Sequence, residues 1–282
     1  MGDRAVRGQF RAPLARYRGF RGAGALLAPG RQLGMLCGKG ATVGASREPW
    51  GFSLIVNGHR EGPLLAAALA SVEEAASPLV ARGIPVELIL CLDRPDQYTL
   101  AVAKILRQRA RWPFRLLRLN HGDLALARNS AVRAARQPWL AFLDGDDLWA
   151  ANWLEAALAL LQCEETPEQL ILHPRYNVYF PEPGVLVSPD QGELADPLGV
   201  LLADNLWTAL SLAHRRVYHR YPYCQNRLQE GFGYEDWNWN LRTVAAGLQH
   251  RAVPDTCHFL RRQPQSLGQR SQALGVLVTP LT

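Results

Sequence analysis

Three carboxylates, Asp144, Asp146 and Asp147, close the apolar run Trp139–Leu143 in the stretch Trp-Leu-Ala-Phe-Leu-Asp-Gly-Asp-Asp-Leu-Trp (139–149). An apolar run of that length reads as a buried strand. In open α/β sheets, ligands bind just beyond the carboxyl ends of such strands. Carboxylates placed there with one residue between them suit a hard divalent cation, and such a cation bridges substrate phosphates. The competing reading is a solvated turn, since Asp and Gly are favoured in turns.

The elements that must position these carboxylates begin at Gly51. Apolar runs predict strands at Phe52–Val56, Val86–Leu92, Phe114–Leu119 and Trp139–Leu143. Helical spacing predicts helices at Leu64–Ala76, Gln97–Arg111, Leu124–Arg136 and Asn152–Gln162, the first opened by Pro63. This alternation implies βαβ units and a mostly parallel central sheet flanked by helices, an α/β fold. Right-handed crossovers place the strand-to-helix loops on one edge. Those loops are Asn57–Gly62, Asp93–Gln97, Leu119–Asp123 and Asp144–Trp149. Each brings polar or charged residues straight after an apolar strand, as a binding crevice requires.

Beyond residue 163 the alternation ends. Leu170–His173 and Val185–Val187 read as short strands, with Pro181, Pro183, Pro189 and Pro197 interrupting the region between and beyond them. A helix is predicted at Glu235–Ala246, after the Gly-rich Gly231–Gly233. The last twenty residues are polar and poorly periodic. This half reads as a lobe appended to the same sheet. The expected organisation is a Gly/Arg-rich flexible tail over 1–50 and one domain over 51–282, with halves at 51–150 and 151–282.

The 282 residues carry a formal net charge of +6. Residues 1–50 hold nine Lys/Arg against Asp3 and Glu48, a net of +7, so the remaining 232 residues sum to −1. The body has no basic bias, and nucleic acid is not an expected partner. Residues 1–50 lack the apolar core of a secretory signal, though their Arg-rich, acid-poor character also occurs in transit peptides, and Met35 offers an alternative start. No stretch of about 18 apolar residues is evident, so no membrane span is expected. Cys37, Cys91, Cys163, Cys224 and Cys257 form no CxxC pair, which argues against a zinc site and suits a reducing cytoplasm.

Three segments in this order resemble the family 2 glycosyltransferases of the GT-A fold, over roughly Phe52 to Ser266. Phe-Leu-Asp-Gly-Asp-Asp-Leu-Trp (142–149) is similar to that family's Asp-x-Asp block. Asn-His-Gly-Asp-Leu-Ala-Leu-Ala-Arg-Asn (120–129) is similar to its Gly-x-x-x-Ala-Arg-Asn segment. Gly-Tyr-Glu-Asp-Trp-Asn-Trp-Asn-Leu-Arg (233–242) is similar to the Glu-Asp-Trp motif that opens its acceptor-side helix. The resemblance implies transfer of a sugar from a UDP-, GDP- or dTDP-sugar, with inversion, to a glycan, lipid-linked or other hydroxyl acceptor. It also implies a Mn²⁺ or Mg²⁺ cofactor held at Asp146.

Carried over by position, Asp236 would be the general base with Glu235 beside it. Asp93 would contact base or ribose, Asp144 would lie near ribose and diphosphate, and Asn57, His59 and Glu61 would border the nucleoside pocket. The residue types suit the chemistry: a cation neutralises a diphosphate leaving group, and a carboxylate within about 3 Å takes the proton of the attacking hydroxyl. Arg128 can bind sugar or phosphate oxygens bidentately.

The sequence departs from the family pattern in places. Asp93-Arg94-Pro95-Asp96 replaces an Asp-Asp-Gly-Ser segment, and Asn57-Gly58-His59-Arg60 replaces a Tyr-Asn pair. His258 and Arg261-Arg262 fall where some relatives carry a metal-binding His or a diphosphate-binding Arg. Other readings stand beside these. Glu235 and Asp236 suit a helix N-terminus electrostatically. Trp237 and Trp239 could stack on a sugar or fill a core. His214, Arg215, Arg216 and His219 read as a surface face, with peripheral contact to an anionic membrane at the cytoplasmic side as its functional version. A non-catalytic sugar- or nucleotide-binding protein of the same fold is the alternative function. A nucleotidyltransferase or phosphatase is disfavoured, because the first strand lacks the Gly-rich loop or nucleophile each would need.

Overall fold

The structure, a computed structural model, describes residues 49–263 and 266–280. The expected tail therefore lies outside the described residues except for Pro49 and Trp50. The elements in chain order are β1 (Phe52–Gly58), α1 (Leu64–Ala81), β2 (Val86–Asp93), α2 (Gln97–Arg109), β3 (Phe114–Leu119), α3 (Leu124–Ala134), β4 (Trp139–Asp144), β5 (Leu148–Trp149), α4 (Trp153–Cys163), β6 (Leu170–Phe180), β7 (Gly184–Val187), α5 (Pro197–Ala203), β8 (Leu212–His214), α6 (Arg215–Arg220), β9 (Phe232–Gly233), α7 (Glu235–Ala245), β10 (Gln249–Arg261), α8 (Leu267–Leu274) and β11 (Leu277–Val278).

One sheet runs in the order β3-β2-β1-β4-β8-β6-β10-β5, with β7 added to β6. The β3-β2-β1-β4 half is parallel throughout. Beyond it β8 runs antiparallel to both β4 and β6, β10 lies parallel to β6, and β5 returns antiparallel on β10. The parallel strands are covered on both faces, so β1, β2 and β4 read as continuous apolar runs instead of alternating ones. On one face α1 and α4 pack Leu65, Leu69, Leu79, Trp153 and Leu158 onto Leu54, Val56, Leu90 and Leu143. On the other, α3, α6 and α7 bring Ala127, Ala131, Tyr218 and Trp239 onto Ile55, Ile89 and Phe142. Each large side chain buried this way contributes roughly 1.5–3 kcal/mol of transfer free energy.

The connections of β1 fix where a ligand can bind. The chain leaves β1 through α1 to β2 and α2 to β3 on one side, and α3 then carries it back to β4 on the other. The β1/β4 pair is thus a topological switch point, and a crevice opens past the carboxyl ends of these two strands. Asp96 and Asp123 start α2 and α3 as N-caps, accepting from Thr99 N at 2.7 Å and Leu126 N at 3.0 Å.

Several sequence expectations need correction. α1 runs five residues further than its apolar spacing suggested, through Pro78. At 18 residues it is long and apolar enough to cross a membrane by length and composition. Its Leu65, Ala68, Leu69, Val72, Ala75, Ala76 and Leu79 are all buried, however, which is the face of a core helix. β6 extends to eleven residues, past Pro174. The thirteen-residue β10 has no counterpart among the strands that the sequence pattern predicts.

Candidate active site

The acidic turn is built by close approach of two strand ends. Asn57 and Asp144 are partners in the β1/β4 register, and Gly145 N donates to the Asn57 carbonyl at 2.7 Å. A Cβ at Gly145 would lie 2.8 Å from Leu65 Cδ2 and 3.0 Å from that carbonyl, so the turn has room only for glycine. The three aspartates then diverge. Asp147 is buried, and its Oδ1 accepts from Arg261 N at 2.6 Å, tying the turn to the end of β10. Asp146 is half-buried; its Oδ2 accepts from Gln263 Nε2 at 2.5 Å, and its carbonyl accepts from Arg261 Nε at 3.3 Å. The Arg261 guanidinium lies over the Phe180 ring at 4.5 Å. The Asp144 side chain is 32% exposed into the crevice.

Crowding and burial act on these acids. Burial first, then the Asp144 charge, raise the Asp146 carboxyl above its ordinary range. Burial, Asp144 and Asp146 together raise Asp147 well above it. Such a set of hard oxygen donors fits Mg²⁺ or Mn²⁺, whose charge would offset the mutual repulsion. Among the described residues no group of three His, Cys, Asp or Glu could hold a metal ion by itself. The donor set therefore suits an ion that shares its coordination with substrate phosphates and water. His258 is fully buried between Trp149 and Trp153, with ring centroids 6.1 and 4.8 Å away, and neither ring nitrogen has a hydrogen-bond partner among the described residues.

The β1 end supplies the neighbouring wall. Asn57 is 3% exposed, and both atoms of its side-chain amide lack partners among the described residues. A buried amide left this way costs free energy until something meets it. His59 is exposed; its N–H donates to Glu61 at 2.5 Å and its Nδ1 meets the Asp93 carbonyl. Burial is the main reason the Glu61 carboxyl is raised, and the Asp146 charge adds to it.

Asp93, at the end of β2, accepts from His121 N at 2.7 Å and Asp123 N at 3.0 Å. Its carboxylate thereby shapes the loop before α3. Arg94 beside it adopts a left-handed backbone (φ 50°) and lays its guanidinium across Gly122, bonded to Asn120 Oδ1 at 2.9 Å and the His121 carbonyl at 3.3 Å.

Arg128 and Asn129 divide two tasks on α3. Asn129 pairs with the Tyr223 backbone in both directions, Nδ2 to the carbonyl at 2.8 Å and Tyr223 N to Oδ1 at 3.0 Å. Arg128 is 2% exposed and reaches two carboxylates at once: Glu235 at 2.7 Å through Nη1 and Asp144 at 3.3 Å through Nη2. Burial of a guanidinium is tolerated only with such pairing.

Glu235 is buried at the first position of α7, and half-buried Asp236 follows it. Asp236 accepts from Asn205 Nδ2 at 3.1 Å and Trp237 N at 2.8 Å. Burial, then the Glu235 charge, push its carboxyl up to about 7, against the lowering effect of Arg128. Tyr234, just before, sits in the left-handed region (φ 58°), a conformation uncommon for a bulky residue and frequent where a site holds strain.

The structure thus gathers Asn57, Glu61, Asp144, Asp146, Arg128, Glu235 and Asp236 around the switch point, with Asp93 and His59 joined to each other at its edge. Asn205, on Asp236, and Gln263, on Asp146, are partners of these residues that no sequence motif marks. For the tryptophans the structure favours the packing alternative, and for His214 it corrects the expectation. Trp239 is buried and stacked on Tyr218 and Tyr223, and Trp237 donates to the Leu201 carbonyl at 2.6 Å, so both serve packing. His214 is buried against Trp139 and does not belong to a surface face, although Arg216 and His219 are exposed.

A sheet of this order with acids at the β1/β4 crevice defines an α/β architecture with its ligand crevice at a topological switch point. Residues 53–177 match the family described as Glycosyl transferase family 2. Among solved structures, it is similar to Staphylococcus aureus TarS 1-349 in complex with UDP-GlcNAc, with TM-score 0.60 and 16% identity over 77% of this chain and 60% of that one. It is also similar to the mannosyltransferase PcManGT from Pyrobaculum calidifontis in complex with GDP-Man and Mn²⁺, with TM-score 0.56 and 17% identity over 77% and 59%. These likenesses establish the GT-A fold expected from the sequence. The chain spans about three fifths of the length of these two solved chains. Among curated proteins no sequence matches it.

Proposed function

We propose that the protein transfers a sugar from a nucleoside-diphosphate sugar to an acceptor hydroxyl, with inversion and with the help of Mn²⁺ or Mg²⁺. The observation that carries this reading is the convergence of two acid pairs, Asp144/Asp146 and Glu235/Asp236, on one crevice at the switch point, linked by Arg128. The donor occupies the half formed by residues 51–150 and the acceptor the half formed by 151–282.

In this reading Asn57, with its unpartnered amide, together with His59, Glu61 and Asp93, borders the nucleoside. Asp144 faces ribose and diphosphate. Asp146 holds the cation, which would neutralise charge on the departing diphosphate. Asp236 takes the proton from the attacking hydroxyl. A carboxylate raised to about 7 is matched to that task near neutral pH, where a substantial fraction is ionised and basic enough to accept. Inversion in a single displacement requires the base opposite the leaving group, which is why base and cation ligand come from elements about ninety residues apart in sequence. PcManGT's complex with GDP-Man and Mn²⁺ and TarS's with UDP-GlcNAc support a donor of this class. The test is a panel of UDP-, GDP- and dTDP-sugars with Mn²⁺, scored for release of nucleoside diphosphate. Turnover of one donor supports the reading, and none with any donor in the presence of an acceptor library opposes it.

A further inference from the structure

We propose that Arg128 is a positioning residue that joins the donor-side carboxylate Asp144 to the acceptor-side carboxylate Glu235, and that it is not itself a contact of the donor. The inference rests on the transferase reading above. Four observations support it. Arg128 is 2% exposed, so little of it faces a ligand. Its Nη1 is bonded to Glu235 at 2.7 Å and its Nη2 to Asp144 at 3.3 Å. The face of its guanidinium lies over Tyr223 at 5.5 Å. Tyr223 is in turn held to the same helix by Asn129. The planar fork is therefore fixed on one face by an aromatic ring and at its tips by two acids. A lysine ammonium is a compact point charge and cannot reproduce this bridge.

The bridge acts on the base through charge. The titratable groups facing Asp236 are Glu235 beside it, Arg128 beyond Glu235, Tyr223 behind the guanidinium, and Tyr234 before the helix. Of these only Arg128 favours the ionised carboxylate. Without its fork, the charge of Glu235 presses on Asp236 uncompensated, and the base loses its proton only at higher pH.

Arg128→Lys and Arg128→Gln are compared with wild type in three measurements: Mn²⁺-dependent nucleoside-diphosphate affinity by calorimetry, kcat for transfer against pH, and carboxyl-carbon NMR titration of Asp236. The bridge predicts affinity within about threefold of wild type and kcat lower by on the order of 10²-fold, the effect of a small misplacement of reacting groups. In Arg128→Gln the Asp236 titration and the low-pH limb of kcat should rise together by about one unit, and in Arg128→Lys, which keeps the charge, by less. Arg128→Gln/Glu235→Gln removes both buried charges, so it restores the fold if the single Gln variant fails, and its loss should be smaller than the sum of the two singles. Affinity falling in step with kcat while the Asp236 titration stays put would overturn the inference and make Arg128 a donor contact. A shifted Asp236 titration in a protein that transfers no sugar keeps the bridge and sinks the transferase reading.

Discussion

Gly145 N donates to the Asn57 carbonyl across 2.7 Å, and through this single bond the acidic turn after β4 is held against the end of β1. The bond forms at the point where the sheet order reverses, so a local turn preference and a topological crevice coincide. Its closeness has a cost in tolerance. Gly145→Ala would drive a methyl to 2.8 Å from Leu65 Cδ2 and 3.0 Å from the carbonyl itself. We expect destabilisation of about 1–3 kcal/mol and weakened nucleotide binding, checked by denaturant melts and calorimetry. Unchanged binding with unchanged stability would show that the turn can move freely.

Asp236 sets the second prediction. With its carboxyl raised to about 7, the group must be ionised to act, so kcat for transfer should climb with pH and level off above about 7. Asp236→Asn should remove about 10²- to 10⁴-fold of the rate while nucleotide affinity stays near wild type. A variant that transfers at wild-type rates would remove Asp236 from the chemistry.

Asp146 offers a contrasting variant. Asp146→Asn removes a charge from the proposed cation site and leaves Asp236 and Arg128 in place. Mn²⁺-dependent nucleotide affinity should fall by more than about tenfold, seen by titration with and without the ion. Equal loss of binding in the absence of metal would mean that Asp146 only supports the turn.

His258 makes a prediction about stability. Burial holds its ring neutral, well below the usual histidine range, whereas the unfolded chain protonates it below about 6.5. The unfolded state therefore binds the extra proton, and stability attached to this group is complete above about pH 6.5 and declines as pH falls. His258→Phe keeps a flat ring between Trp149 and Trp153 and removes two unpartnered nitrogens. At about pH 5.5 the variant should gain about 1.4 kcal/mol more relative to wild type than it gains at pH 8. Melting curves at the two values measure this difference. A gain that does not depend on pH would contradict neutral burial, and loss of Mn²⁺ binding would instead assign the ring to the metal.

The parallel half of the fold was legible because its strands are buried on both faces and its helices have one apolar stripe. The predicted bounds of β3 agree with the structure, and those of β1, β2 and β4 differ by one or two residues. The mixed half beyond β4 was not, because its strands bury polar side chains. In β6 and β10 these are His173, Asn177, His250, Thr256 and His258, and they break the apolar pattern that marks a core strand. His173 Nε2 and His250 Nδ1 meet at 2.9 Å, with Thr243 on the far nitrogen of His250, so both ring nitrogens of His250 find partners inside the protein. Motif residues around the crevice could be named from sequence. What composition hid was which of their charges pair inside: Arg128 reads as a sugar or phosphate contact and Glu235 as the companion of the base, and their 2.7 Å pair across more than a hundred positions appears only in the structure.

The most direct test is calorimetric titration of the full chain with UDP, GDP and dTDP, each with Mn²⁺ and again with the ion chelated. The account predicts that at least one nucleotide binds only with the ion present, and that Asp146→Asn abolishes this binding while Asp236→Asn preserves it. Absence of ion-dependent binding to all three, in protein shown to be folded, would contradict it.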